Sequence, residues 1–350
     1  MALRIIYGRA GTGKSKFCIR QIKNKIENSN KLVLIVPEQF TFQTENRMLE
    51  EIGEKYVLKA EVLSFKRLAY KVFNSCGGSD KSLISDAGTS MLIYKVLEEL
   101  GKELATFVTA SKKQGFIDVL SKTITEFKKY NVDNSILENV LKDIDDEDLH
   151  NKLKDLSVLF NCFNDKLHKG HIDGEDRLSL LNEKLNDCSI YDGAEIFIDE
   201  FTTFTPIQLE IITKLLKKAK NVNITLSMDN INSKALYSDL FTTTKSTERK
   251  LLKVLEENNI KFNGYVDLNK DVPYRFVNRK ELQAIEKNIY AYPFERYDSD
   301  NERVRLYRAN NSYDEMEFIA KDILRIVRDK GYRFKDISVV CRQIDAYEKI

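Results

Sequence analysis

The chain has 350 residues, a length that suggests two or three folding units rather than one ordinary domain. Its 56 basic and 54 acidic residues leave a net charge of +2, which excludes a polybasic nucleic-acid arm or an acidic tail. With 42% hydrophobic residues the chain can bury a sizeable core. The sequence contains no run of about 18 apolar residues, so no membrane span is predicted. The first residues do not have the pattern of a secretory signal. We therefore expect a cytoplasmic protein.

The beginning of the chain predicts alternating strands and helices. Apolar runs at 3–7, 31–36 and 59–63 are typical of buried strands, and a helix is predicted from about Lys14 to Asn28. Strands that alternate with helices at this pace predict an α/β fold, with a parallel sheet covered by helices.

Residues 86–186 have helical periodicity almost throughout. Strand patterns return at 195–199 and 221–226. We therefore predict an α/β core interrupted by an all-helical insertion that is large enough to fold as a subdomain.

Beyond about Lys270 the sequence is charged and irregular as far as a predicted strand at 303–307. A helix from Tyr313 to Lys330 and a strand at 337–341 follow. One strand–helix–strand unit cannot cover both faces of a sheet, so we expect this chain to be the N-terminal piece of a longer protein.

The cysteines stand at wide spacings and form no Cys-x-x-Cys pair: they are Cys18, Cys76, Cys162, Cys188 and Cys341. An odd number at such spacings argues against a disulfide framework or a zinc site within the chain. We predict reduced, mostly buried thiols, and surface positions for the histidines.

The segment Gly8–Ser15 fits the phosphate-loop pattern G-x-x-x-x-G-K-[ST] and lies between a predicted strand and a predicted helix. Its glycines let backbone N–H groups approach phosphate at a helix N-terminus. We predict that Lys14 reaches the β- and γ-phosphates and that the Ser15 hydroxyl binds magnesium. The whole loop is predicted to contact nucleotide: Gly8, Arg9, Ala10, Gly11, Thr12, Gly13, Lys14 and Ser15.

The strand at 195–199 ends in two adjacent carboxylates, Asp199 and Glu200. A strand that ends in two carboxylates is weak evidence alone, because acidic residues often follow strands. In a chain that also has a complete phosphate-loop pattern, it indicates the acidic half of a nucleotide site. Asp199 is predicted to hold Mg²⁺ through water and Glu200 to polarise the attacking water, so that Lys14 and Glu200 are the predicted catalytic residues.

Four segments resemble motifs of UvrD-type superfamily 1 DNA helicases: 34–40 motif Ia, 62–70 motif Ib, 198–208 motif II and 339–342 motif IV. Within that group the chain resembles, over essentially its whole length, the AddB family, whose members belong to bacterial AddAB helicase–nucleases. The most specific part of this likeness is the block Pro-Glu-Gln-Phe-Thr-Phe-Gln at 37–43.

The resemblance implies two RecA-like cores. It assigns residues 1–85 with 187–270 to the first P-loop core, 86–186 to the helical insertion, 271–302 to a linker and 303–350 to the start of a truncated second core. It also implies ATP and Mg²⁺ as ligands, with Arg342 as a γ-phosphate contact from the second core.

The family likeness further implies an AddA-like helicase/nuclease subunit as partner in a heterodimer. The complex would bind double-stranded DNA ends and single-stranded DNA, resect double-strand breaks and recognise the Chi signal during recombinational repair. A nuclease domain with a 4Fe-4S cluster is expected only in a C-terminal region outside these residues, so no cysteine here is assigned to the cluster.

The predicted DNA contacts are Phe40, Ser64, Phe65 and Arg67, which follow the second and third predicted strands. Parallel sheets bind ligands at the carboxyl ends of their strands, and single-strand sites combine cations with aromatic platforms. Core packing is the better explanation of the phenylalanines by residue type. For Phe65 and Arg67, the resemblance makes DNA contact as good an explanation as a structural role.

Two departures from active helicase motors stand out. Thr202 and Thr203 replace the Gln-Asp of motif II, and residues 226–230 lack the pattern of motif III. They argue against a second hypothesis, a self-sufficient UvrD-like motor. A third hypothesis is a non-catalytic DNA-recognition scaffold like RecC with a vestigial nucleotide site, and a small-molecule P-loop kinase is a distant fourth.

Overall fold

A computed structural model of the chain describes residues 1–27, 29, 31–78, 81–231, 240–269, 273–299 and 303–350. It divides into two compact units, Met1–Val277 and Asn278–Ile350. The predicted end of the first helix at Asn28 and both ends of the predicted linker, at 271–272 and 300–302, lie outside the described residues.

The strands of the first unit are β1 (Ala2–Gly8), β2 (Leu32–Ile35), β3 (Ala60–Leu63), β4 (Ser82–Leu83), β5 (His171–Ile172), β6 (Glu195–Ile198), β7 (Asn221–Ser227) and β8 (Lys261–Asp267). Six of them form one sheet in the order β3-β2-β6-β7-β1-β8, and every neighbouring pair in it is parallel. The short strands β4 and β5 form a separate parallel pair. The predicted parallel sheet flanked by helices is therefore confirmed.

The helices of the first unit are α1 (Lys14–Lys25), α2 (Thr41–Ile52), α3 (Phe65–Cys76), α4 (Asp86–Leu100), α5 (Gln114–Lys129), α6 (Asn134–Lys142), α7 (Glu147–Leu167), α8 (Gly174–Lys184), α9 (Pro206–Lys218) and α10 (Thr242–Glu257). Among the described residues, none of the helices combines the length and apolarity that crossing a bilayer requires.

Helices cover the main sheet on both faces, which is why its strands are apolar on both sides. In β2, Val33 and Ile35 belong to the core shared with α3, α8, α9 and α10. Leu32 and Leu34 alternate with them and belong to the core shared with α1 and α2. This two-residue alternation is what the pleat of a strand produces.

The helices α4, α5, α6 and α7 share a hydrophobic core of their own. Its fully buried side chains include Ile93, Leu159 and Phe163. These helices occupy the stretch between β4 and β5, whereas α8 packs against α3 and α9 of the main body.

The prediction that all the cysteines are reduced is wrong for one pair. Cys76 and Cys188 form a disulfide with sulfur atoms 2.08 Å apart, across a sequence separation of 112. The two cysteines meet because α3 and α8 pack side by side, a proximity that sequence spacing does not reveal. Of the other thiols, Cys18 is buried, Cys162 is half-buried and Cys341 is exposed.

Strand β8 was not predicted, and a bulge explains why. The pairing of β1 with β8 shifts register between Leu3 and Ile5, and Gly264 has a φ of 79°. An extra residue in a strand disrupts the two-residue alternation by which a strand is recognised in a sequence.

The second unit contains α11 (Lys280–Asn288) and α12 (Ser312–Lys330). Helix α12 confirms the predicted helix, whereas α11 lies in a stretch predicted to be irregular. The strands predicted at 303–307 and 337–341 are wrong, since neither segment is a strand in the described part of this unit. A β-branched run becomes a strand only when a neighbouring strand supplies its ladder of hydrogen bonds.

Candidate functional site

The glycine-rich segment Gly8–Ser15, which is called the phosphate loop here for its sequence pattern, connects β1 to α1. Strand β1 ends at Gly8 and α1 begins at Lys14, so the glycine-rich turn stands at the N-terminus of the helix. Gly11 and Gly13 have φ values of 80° and 92°, in the left-handed region that glycine adopts without strain. The backbone N–H groups at this helix end form the kind of site that binds anions.

The side chain of Lys14 folds back over the loop. Its Nζ donates hydrogen bonds to the carbonyl oxygens of Gly8, at 2.9 Å, and Arg9, at 3.1 Å. The ammonium group is therefore held at the loop itself, next to the N-terminus of α1.

The predicted acidic pair lies close to the first turn of α1. The Ser15 Oγ donates a 2.8 Å hydrogen bond to Glu200 Oε1. Asp199 is buried and accepts a hydrogen bond from the Thr225 hydroxyl of β7. Glu200 has a φ of 67°, a left-handed conformation that is uncommon outside glycine and that marks the sharp turn after β6.

The buried thiol of Cys18, which is on α1, lies in the field of these charges. Burial raises the pKa of Cys18, and the carboxylates of Asp199 and Glu200 raise it further. The ammonium group of Lys14 acts in the opposite direction.

The oxygen donors at this site suit a hard cation whose coordination shell is completed by oxygen atoms of a bound ligand. Ser15, Asp199 and Glu200 supply one hydroxyl and two carboxylates. In the described part of the chain, no group of three or more His, Cys, Asp and Glu side chains is arranged to hold a metal ion by itself. Magnesium in nucleotide sites is bound through one or two carboxylates together with substrate phosphates, and these donors fit that pattern.

Asn269 ties the phosphate loop to the end of β7, and sequence reasoning missed it. The Arg9 backbone N–H donates to Asn269 Oδ1 at 2.7 Å. The Asn269 Nδ2 in turn donates to the carbonyl oxygens of Met228, at 3.1 Å, and Asp229, at 2.7 Å. One amide side chain therefore joins the loop to the end of β7, the strand that lies between β1 and β6 in the sheet.

A short helical turn, Tyr274–Phe276, packs on the loop from the outside. The Arg275 N–H donates to the Gly11 carbonyl oxygen at 3.0 Å. A Cβ atom on Gly11 would lie 2.9 Å from the Arg275 Cβ and 3.1 Å from the Phe276 ring. The Lys16 Nζ lies 3.1 Å from the Tyr274 hydroxyl and 4.5 Å from the centre of its ring.

Sequence reasoning placed this turn in the linker. A signal was present, since Pro273 precedes two aromatic residues and an arginine. That composition is unusual for a solvated connection, but nothing in it indicates the loop as the packing partner.

The residues predicted to contact DNA fall into two classes. Phe65 is buried in the core and packs edge-on against Phe201, with ring centroids 5.6 Å apart, and Phe40 is half-buried. The rings therefore pack as core residues do, which is the explanation their residue type favoured. Ser64 and Arg67 stand at the start of α3, at the carboxyl end of β3.

Both polar residues are engaged by carboxylates. The Ser64 hydroxyl caps α3 by accepting from the Arg67 N–H at 3.2 Å, and it donates to Glu38. The Arg67 Nη1 lies 2.5 Å from Glu45 Oε1. Carboxylates from the segment after β2 therefore pair with the two polar residues that were predicted to contact DNA.

The two segments that depart from motor motifs are anchored inside the first unit. The carbonyl oxygen of Thr202 accepts a hydrogen bond from the Thr247 hydroxyl at 2.9 Å. Asp229 pairs at 3.0 Å with Lys245, whose side chain is 3% exposed. The remaining predicted contact, Arg342, is exposed in the second unit.

Comparison with known proteins identifies the family of the chain. Residues 5–286 match the family model described as ADDB, N-terminal. Proteins named as the B-type subunit of ATP-dependent helicase/deoxyribonuclease are similar over the whole chain, with 63% identity in Clostridium perfringens (strain SM101 / Type A), 45% in Thermoanaerobacter sp. (strain X514) and 44% in Clostridium botulinum (strain Loch Maree / Type A3). The chain spans 30–31% of the length of these relatives. It belongs to the AddB N-terminal family.

Proposed function

We propose that this chain is the ATP-binding, helicase-like N-terminal region of the AddB component of a heterodimeric ATP-dependent helicase/deoxyribonuclease. Family membership supports the assignment to that component, because the relatives carry the corresponding name. The observation that carries the nucleotide assignment is the hydrogen bond from Ser15 to Glu200. It joins the first turn after the phosphate loop to the acidic end of β6, two strands away in the sheet.

The same arrangement supports a RecA-like first core. The phosphate loop follows β1 and the acidic pair follows β6, so both lie at the carboxyl edge of one parallel sheet, where α/β folds bind ligands. In this proposal the core comprises residues 1–85 and 187–270, with 86–186 as the helical insertion, whose last helix, α8, returns to pack on α3 and α9. The linker begins after Phe276, because the turn at Tyr274–Phe276 packs on the loop, and residues 303–350 begin a second core.

The residues at the loop have distinct roles in this proposal. Lys14 exchanges its two carbonyl partners for the β- and γ-phosphates, which are stronger acceptors because they are charged. Ser15 and Asp199 hold Mg²⁺, which neutralises developing charge on the phosphates when it is bound. Glu200 orients and polarises water, and its link to Ser15 holds it at the site before nucleotide arrives.

The DNA role concerns the whole protein. We propose that it acts with an AddA-like helicase/nuclease subunit on double-stranded DNA ends and single-stranded DNA, in break resection and Chi recognition. A C-terminal nuclease region with a 4Fe-4S cluster belongs to the same proposal. In this chain, Ser64 and Arg67 are the best-placed DNA contacts, since both lie at the carboxyl end of β3.

An autonomous motor is the weaker candidate. Asp229 is held by the buried Lys245, and Thr202 is held by Thr247, so the segments that couple nucleotide to DNA in motors are occupied by packing contacts. A scaffold without nucleotide function is also disfavoured, because Lys14, Ser15 and Glu200 remain assembled. DNA-stimulated ATP turnover by the full-length protein without its partner would revive the motor hypothesis.

Nucleotide binding by the full-length protein is the direct test. We expect a fluorescent ATP analogue to bind in the presence of Mg²⁺, and Lys14→Ala to weaken that binding by at least about 100-fold, or about 2.7 kcal/mol. Lys253→Ala is the matched control, because its side chain is 74% exposed on α10. Unchanged affinity and unchanged DNA processing in Lys14→Ala would establish the scaffold hypothesis instead.

A further inference from the structure

A tyrosine and an arginine stack at the seam between α3 and α8. The guanidinium carbon of Arg177 lies 4.6 Å from the centre of the Tyr70 ring. Arg177 is 6% exposed, and its Nε and Nη1 atoms are buried without a hydrogen-bond partner among the described residues. The Tyr70 ring is its packing partner on α3.

A buried cation without a carboxylate is energetically expensive. Removing a guanidinium group from water is costly unless partners compensate, and a cation–π contact returns only part of that cost. Native proteins leave few buried polar groups without partners, and each such group calls for an explanation. The positive charge of Arg177 also raises the electrostatic potential around the ring that it supports.

Tyr70 presents its ring to solvent although Arg177 lies behind it. The residue is 52% exposed. Lys66 is also exposed and stands one turn earlier on α3, so the two side chains lie on the same face of the helix. The helix itself starts after Ser64, at the edge where DNA contacts are proposed.

Further cations lie at the start of the seam. Helices α3 and α5, which carry Lys66 and Lys129, both pack against α8. Burial raises the pKa of Glu175, in the first turn of α8, and the charge of Asp173 raises it further, while the charges of Lys129 and Lys66 lower it. Lys128 is already neutralised there, by Asp173 at 2.6 Å and Asp176 at 2.9 Å.

We propose that Tyr70 is a stacking platform for a base of single-stranded nucleic acid, braced from behind by Arg177, with Lys66 at the adjoining backbone phosphate. An exposed ring between cations is the combination that single-strand sites use, and stacking tolerates any base. Arg177 is a positioning residue in this site, because its buried atoms hold the ring rather than the ligand. The inference rests on the proposed binding of single-stranded DNA and extends it to a second helical turn of α3.

Binding of a fluorescein-labelled oligothymidylate of about 20 nucleotides to the full-length protein tests the site. We expect Tyr70→Ala to weaken binding about tenfold, and Tyr70→Phe to bind like wild type because stacking needs only the ring. Tyr94→Ala is the matched control, since Tyr94 is 59% exposed on α4, and it should leave the affinity unchanged. Arg177→Met should weaken binding about threefold and leave the salt dependence unchanged, because Arg177 contacts the ring and not the phosphates.

Photocrosslinking of wild-type protein to the same oligonucleotide carrying 5-iodouracil does not depend on any variant folding. A crosslink on Tyr70 supports the proposal. Normal affinity in Tyr70→Ala, with crosslinks only elsewhere, overturns this inference and leaves the proposed DNA function intact. Failure of wild type to bind the oligonucleotide overturns both.

Discussion

The phosphate loop and the start of α3 lie at the same edge of the sheet, but their charged groups are held in different ways. At the loop, backbone geometry dominates: left-handed glycines, the Asn269 bridge and the turn at Tyr274–Phe276 fix the chain. At α3, the polar groups are paired with carboxylates of Glu38 and Glu45.

Under the proposed function, this contrast sets how each region binds an anion. The loop is pre-organised, so little of it has to rearrange when a ligand binds. A substitution that distorts the loop backbone should therefore weaken binding strongly. The α3 surface must exchange side-chain ion pairs for phosphate. Because exposed pairs contribute roughly 0–1 kcal/mol, changes there should be mild and sensitive to salt.

Gly11→Ala should have the largest effect. Alanine at a φ of 80° is strained by about 1–2 kcal/mol, and its Cβ would press on the Arg275 Cβ at 2.9 Å. We expect nucleotide affinity to fall roughly 100-fold, and the free energy of unfolding by about 2 kcal/mol. Titration with a fluorescent ATP analogue and chemical denaturation would measure the two effects.

Gly115→Ala is the matched control for that change, because Gly115 is in α5 and an added Cβ there meets nothing within 4 Å. It should keep nucleotide affinity and stabilise slightly, by about 0.5–1 kcal/mol. If Gly11→Ala and Gly115→Ala had the same nucleotide affinity and stability, the loop would be no more pre-organised than an ordinary turn.

Thr225→Val should come next. It removes the hydroxyl that donates to the buried Asp199, leaving that carboxylate one hydrogen bond short at a cost of about 1–3 kcal/mol. We expect about tenfold more Mg²⁺ to be needed for nucleotide binding. Thr213→Val is the control, since that hydroxyl only donates to the Leu209 carbonyl within α9. An unchanged magnesium requirement would show that Asp199 does not serve the metal.

Asn269→Ala should weaken nucleotide binding about fivefold, or about 1 kcal/mol, because the Arg9 N–H loses its 2.7 Å acceptor and the loop loosens. Isothermal calorimetry would measure the loss. Asn258→Ala removes an amide that only donates to the Val254 carbonyl at the end of α10, and it should leave binding unaffected. If both variants bind like wild type, the loop does not depend on this bridge.

Glu45→Gln should have the smallest effect and the opposite sign. Freeing Arg67 from its carboxylate is expected to raise affinity for single-stranded DNA about two- to threefold at low salt, with the gain vanishing at high salt. Fluorescence anisotropy at two salt concentrations would show it. Glu257→Gln, which breaks a remote exposed pair with Lys253, is the control. A loss of affinity would mean that the Arg67–Glu45 pair is itself the binding element.

Much of the site was predictable because it depends on local chain geometry. The loop from Gly8 to Ser15 and the carboxylates after β6 are read from residue type and short spacing, and the elements around them are as predicted. Asn269 and the turn at Tyr274–Phe276 escaped prediction because they reach the loop only through the path of the chain after β8. Phe65 illustrates the opposite case, since a motif-like position turned out to be a core ring.

The parallel α/β fold and the glycine-rich loop after β1 follow from the amino-acid sequence alone, since apolar periodicity and glycine conformations act within a few residues. The pairing of distant groups does not: Cys76 meets Cys188, Ser15 meets Glu200, and Arg177 meets Tyr70 only in the folded chain. These contacts depend on how helices pack over the sheet. The sum of many weak apolar interactions sets that packing, and no short pattern encodes it.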